Sequence, residues 1–122
     1  MHKNTAVLNN LLKLPKEILD AEVELLEIQD AQEEDVQKVK YKELSLKTEI
    51  QDALDEEGKK LYSNELSREK EFRNRCANDD ELGVLKKCLG ERSKMLSVKR
   101  VELEFKKRLF RSAESLSRME GR

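Results

Sequence analysis

The sequence predicts an all-α fold, a long antiparallel coiled-coil helical hairpin with a short N-terminal helix, oligomerising into a bundle. Composition supplies the first reason. Of 122 residues, 42% are charged and 4% aromatic, with one proline, four glycines and no tryptophan, a balance that suits long solvated helices. Apolar residues recurring at steps of three and four supply the second. A stop signal followed by a start signal at mid-chain supplies the third.

The elements follow in order. Val7, Leu8, Leu11, Leu12 and Leu14 give a helical pattern, so a short helix is expected over about residues 4–13. Pro15 disfavours helix at the residue before it and fits the first turn of a new one, so a bend at Leu14-Pro15 is expected. A long helix over about 16–56 follows, with Ile18, Ala21, Leu25, Ile28, Val36, Val39, Leu46, Ile50 and Ala53 on its seam. Ile28, Gln32 and Val36 are separated by two steps of four, a stutter that locally unwinds a supercoil. Gln32 and Glu43 on that seam are read as solvated or paired polar residues.

Gly58 is the only glycine in the first eighty residues and reads as the left-handed residue that closes this helix, within a turn at about 57–63. Asn64 caps the next helix, and Glu65 lies at the positive end of its dipole. That helix is expected over about 64–119. Asn78-Asp79-Asp80-Glu81 marks either a recapping break or a kink near 78–81, and continuity is favoured because the seam resumes at Leu82 and Leu85. Leu82, Leu89, Leu96, Leu103 and Phe110 then recur at strict sevens. A single domain, 1–122, results.

Charge sets the register. Lys16–Asp35 holds nine acids and one base, while Lys86–Glu104, its expected counterpart, holds six bases and three acids. Nearer the turn the signs reverse: Val36–Ile50 has four lysines against two glutamates, and Glu71–Leu85 two arginines against four acids. Matched blocks of opposite sign select an alignment, but each exposed pair is worth only ~0.2–1 kcal/mol, so the apolar seam must hold the helices together.

Apolar surface exceeds what one hairpin covers. Leu19, Val23 and Leu26 widen the seam on the first arm, and Val98, Val101 and Phe105 lie off the stripes of the second. These six residues are the expected oligomer face, and a homo-oligomer is the expected state.

Little points to chemistry. Catalysis needs converging groups in a pocket, and a narrow hairpin offers little concavity, so no enzyme, catalytic residue or cofactor is expected. His2 stands alone near the terminus. Glu24-x-x-Glu27 and Asp30-x-x-Glu33 lack histidine partners and read as a solvated face rather than a metal site. Cys76 and Cys88, twelve apart with no histidine near, are not a zinc spacing. On one helix they would stand roughly 18 Å apart, too far for a disulfide, and free thiols of a cytoplasmic protein are expected. No signal peptide or membrane span is indicated. The net charge of −1 gives no global pull toward nucleic acid.

A local pull is the alternative. Lys99, Arg100, Lys106, Lys107, Arg108 and Arg111, with Arg118 and Arg122 beyond, form a basic cluster that would suit phosphates. It supports an alternative role as an accessory DNA-binding factor in phage replication or recombination. Aromatics suited to base stacking are expected to be missing from its exposed positions, and the acidic arm faces several of its members.

Gly58-Lys59-Lys60-Leu61-Tyr62-Ser63-Asn64-Glu65 with Arg68, and the closing Leu103-Glu104-Phe105-Lys106-Lys107-Arg108-Leu109-Phe110-Arg111, resemble a loosely defined group of short coiled-coil proteins of bacterial genomes and prophages. The resemblance implies a hairpin with Tyr62, Ser63 and Asn64 at its tip. Two roles follow for the tip. Either Tyr62 packs on the last turn of the first helix, or Lys59, Lys60, Tyr62 and Arg68 touch a protein partner. The function expected on all these grounds is that of a non-enzymatic interaction or scaffolding protein whose partner is unknown.

Overall fold

The computed structural model describes the backbone of residues 2–120 and the side chains of residues 5–119. His2 lies outside the described side chains, and Arg122 outside the described residues altogether. Three helices follow one another: α1 (His2–Asp52), α2 (Glu65–Asn78) and α3 (Asp80–Glu120). Among the described residues the one departure from helix and turn is a bridge pair between Leu54 and Lys60.

The expected bend at Leu14-Pro15 is absent. Pro15 sits inside α1, which runs on through it. A proline there lacks the N–H that would bond the carbonyl of Leu11 and crowds that carbonyl, at a cost of about 3 kcal/mol. Pro15 is exposed, so water can reach the freed group, while Leu14 beside it is buried and holds the turn in place.

α1 also ends at Asp52, earlier than the expected Glu56. Gly58 has φ +79°, as a left-handed glycine should, but it does not close the helix. It belongs to a separate turn built on Asp55. The Asp55 Oδ1 accepts from the backbone N–H of Glu57 and of Lys59, both at 2.9 Å, and the Asp55 N–H donates to the Lys59 carbonyl at 2.7 Å. The Asp55 carbonyl accepts from the Gly58 N–H at 3.1 Å. A short acceptor in the side chain has drawn the backbone out of the helix and into a turn.

Asn64 caps α2 as expected. Its backbone is extended (φ −123°, ψ 162°), and its Oδ1 accepts from the Ser67 N–H at 2.7 Å. Ser67 Oγ donates back to the Asn64 carbonyl at 2.9 Å. Asn64→Ala is expected to lower stability by about 1 kcal/mol, and Asn64→Asp to restore it, by thermal melts followed at a helical circular-dichroism band.

The favoured continuity across 78–81 gives way to a break one residue wide. Asp79 takes an extended conformation (φ −88°, ψ 109°) between α2 and α3, and its Oδ1 accepts from the Leu82 N–H at 3.0 Å. Asp80 and Glu81 fill the first turn of α3 with negative charge. The aspartate competes with the helix for its own backbone and becomes a cap.

Contacts gather the chain into two units, Met1–Ala31 with Arg92–Arg122 and Gln32–Glu91. The first buries Leu14, Leu96, Leu103 and Ala113. Ion pairs flank this core, Glu24 to Lys99 at 3.0 Å and Glu22 to Lys107 at 3.5 Å, and the Arg92 guanidinium donates to the Ala31 carbonyl at 3.2 Å.

The second unit buries Leu82 completely and Ile50 to within 2%. Its polar contacts include Lys42 with Asp79 and Glu81, both at 3.3 Å, and Lys86 with Glu43 at 3.6 Å. Arg75 meets Glu49 at 3.6 Å, and the Lys47 ammonium lies 4.9 Å from the centre of the Phe72 ring. Gln32 donates to the Leu89 carbonyl at 3.3 Å. The polar residues on the α1 seam are thus half-buried and hydrogen-bonded or ion-paired.

Candidate interaction surfaces

The first candidate is the tip. Lys59 and Lys60 are exposed, and Lys59 stands 4.0 Å from Glu57. Tyr62 and Arg68 are half-buried and turned to structural use. Arg68 donates to the Tyr62 carbonyl at 3.3 Å, and the Arg75 guanidinium lies 6.0 Å from the Tyr62 ring centre. Tyr62 therefore rests against α2. Of the four tip residues, two project and two stitch the turn to α2.

The second candidate is the basic stretch of α3. Acids of the chain itself engage most of it: Glu24 holds Lys99, Glu22 holds Lys107, and Glu104 reaches Arg108 at 4.0 Å and Arg111 at 3.5 Å. The Glu24 carboxylate raises the Lys99 ammonium above its usual value. Arg118 pairs with Glu114 at 3.8 Å. Arg100 is exposed and Lys106 half-buried, and Phe105 beside them is exposed, contrary to the expectation that no aromatic is exposed there. Positive charge held by carboxylates is less available to phosphates, whose binding depends on how many of them the protein neutralises.

The third candidate is apolar. Leu19, Val23, Leu26, Val98, Val101 and Phe105 are all 47–71% exposed, and all six lie in the unit formed by Met1–Ala31 and Arg92–Arg122. Leu8 and Leu12 extend the α1 members, and Leu109 and Leu116 those of α3. Exposed apolar side chains scattered singly are ordinary, but a contiguous stripe is a surface awaiting cover. In the other unit Tyr41 and Leu44 are 77% and 64% exposed, a pair the sequence reading passed over. The available signal was their spacing of three, off the Val39–Leu46 seam.

The titratable groups do structural work. Asp79 has its carboxyl held below the usual carboxylate range, first by the Leu82 N–H and then by Lys42, and Lys42 is raised in turn by Asp79 and Glu81. The unfolded carboxyl titrates near 3.9, so this stabilisation is complete above about pH 5 and is lost as pH falls through the lower, folded value. Asp79→Asn keeps a capping oxygen and removes the charge. Its melting temperature is expected to lie below that of the parent chain at pH 7, with the gap closing as pH falls through the lowered, folded value of the carboxyl.

Cys76 and Cys88 are free, half-buried, and on different helices, contrary to the picture of one continuous helix carrying both. Burial pushes the Cys76 thiol up, away from the reactive thiolate. Among the described residues no group of three or more His, Cys, Asp or Glu is placed to hold a metal, and no helix is long and apolar enough to cross a membrane.

These features define an all-α chain with exposed apolar residues on its helices. Comparison with protein-family models, with curated proteins and with solved structures finds no match.

Proposed function

We propose that the chain is a non-enzymatic interaction or scaffolding protein, an antiparallel coiled-coil hairpin that self-associates through the exposed apolar residues of the Met1–Ala31 and Arg92–Arg122 unit. The exposure of Leu19, Val23, Leu26, Val98, Val101 and Phe105 on one unit carries this reading. Support for antiparallel pairing comes from contacts whose numbers rise in α1 as they fall in α3: in one unit Glu22 with Lys107, Glu24 with Lys99 and Ala31 with Arg92. In the other unit the partners of α1 also fall in number, from Leu89 of α3 with Gln32, through Asp79 with Lys42, to Arg75 of α2 with Glu49. Two free thiols suit a reducing compartment, and the reading places the protein in the cytoplasm.

Sedimentation equilibrium tests it. The mass is expected to exceed the 14.3 kDa of one chain and to rise with concentration through the micromolar range. A single-chain mass at every concentration up to about a millimolar would refute self-association.

A further inference from the structure

The two exposed stripes of the Met1–Ala31 and Arg92–Arg122 unit are not equivalent, and they face apart. At 100° per residue, Leu12, Leu19, Val23 and Leu26 lie about 135° round α1 from its buried side, toward Glu22. Val98, Val101, Phe105 and Leu109 lie about 165° round α3 from Leu96 and Leu103, on the side away from the core. Glu22 pairs with Lys107 and Lys99 with Glu24, on opposite sides of the shared core. The stripes therefore occupy opposite outer flanks of this unit.

They also match one another at four positions of five. Descending α1 from Leu26, apolar positions come after three, four, seven and four residues, at Val23, Leu19, Leu12 and Leu8. Ascending α3 from Val98, the same steps reach Val101, Phe105, Ser112 and Leu116, so that only Leu12 lacks an apolar counterpart. Laid antiparallel, Leu26 meets Val98, Val23 meets Val101, Leu19 meets Phe105, and Asp30 meets Lys94. This register differs by one residue from that of the Glu24–Lys99 and Ala31–Arg92 contacts within the chain.

Charge separates the ways of pairing. Lys16–Ala31 carries six acids and one base, and Arg92–Arg111 eight bases and two acids. Taken as whole segments, two α1 arms brought together oppose −5 with −5 and two α3 arms +6 with +6, while α1 against α3 brings opposite signs together, although Glu22 and Glu24 already hold Lys107 and Lys99 within the chain.

We propose that copies of this chain join head to tail, the α1 stripe of one copy seated antiparallel on the α3 stripe of a second. The proposal rests on the self-association reading above and specifies its geometry. Because the two stripes face apart, one copy cannot use both on the same neighbour. The contact is heterologous, and it propagates into an open row or closes into a ring.

Two double variants of the full chain decide the matter, with circular dichroism to show that each keeps its helix content. Leu19→Ser with Val23→Ser removes the α1 stripe, and Val101→Ser with Phe105→Ser removes the α3 stripe. The parent chain is expected to form assemblies larger than a dimer. Each variant alone is expected to sediment as a monomer with at least tenfold weaker association. An equimolar mixture is expected to form a one-to-one dimer and stop there, since each variant retains the stripe the other lacks. A variant that stays dimeric alone, or a mixture that stays monomeric, overturns the head-to-tail arrangement while leaving self-association standing. A parent chain that is monomeric throughout overturns both, and assigns the stripes to a different protein.

Discussion

Leu82→Ala is expected to destabilise the chain by about 2–5 kcal/mol, the range for emptying a buried leucine site. Leu82 is 0% exposed, and with Ile50 it makes up the buried apolar centre of the Gln32–Glu91 unit. So small a core has few neighbours to collapse into a vacated space, which places the cost toward the upper end. A domain of this size is stable by only about 5–15 kcal/mol, so the loss is a large share of the whole. The same residue supplies the N–H that Asp79 caps, tying the start of α3 to its core. Urea unfolding provides the measurement. Leu82→Met, which conserves volume, should cost under about 1.5 kcal/mol. A loss below about 1 kcal/mol in the alanine variant would contradict the burial described for this position.

Pro15→Ala should act in the other direction. With Pro15 inside α1, alanine restores an N–H donor for the Leu11 carbonyl and relieves the ring's contact with it, for a gain of up to about 3 kcal/mol. Were Pro15 instead the first residue of a new helix, its fixed φ would suit the position and alanine would bring no gain. A rise in melting temperature thus distinguishes one continuous helix from two. An unchanged or lowered value would restore the bend.

The same residue shows where sequence reasoning succeeded and where it stopped. Val7, Leu11, Leu14, Ile18, Ala21 and Leu25 keep a single phase through Pro15, which two independent helices would have no cause to do. That signal was present and was outweighed by a local rule about proline. Asn64 was legible because capping needs only a short acceptor beside the first turn, and Glu65 at the positive end of the dipole completed the pattern. Gly58 was legible as a left-handed position but not as part of a separate turn, since the choice depended on Asp55, whose side chain reaches two and four residues forward.

The candidate surfaces divide in the same way. Leu19, Val23, Leu26, Val98, Val101 and Phe105 could be read as surplus from helical phase alone, and they are exposed. Tyr62 and Arg68 could not be placed, because whether a turn residue projects or folds back depends on what α2 offers it, here Arg75. For the basic cluster, the charge blocks already set the acidic arm against several members, while the individual partners, Glu22 with Lys107 and Glu24 with Lys99, needed the packed helices.

α2 has a property its neighbours lack. None of its fourteen residues is fully buried, and its contacts with α1 include the Lys47–Phe72 and Arg75–Glu49 pairs, set between caps at Asn64 and Asp79. A peptide of that length is at best marginally helical in water. Its amide hydrogens can therefore trade with solvent through a local opening that leaves Leu82 covered, making this segment the soft joint through which the chain first yields to heat or to a protease.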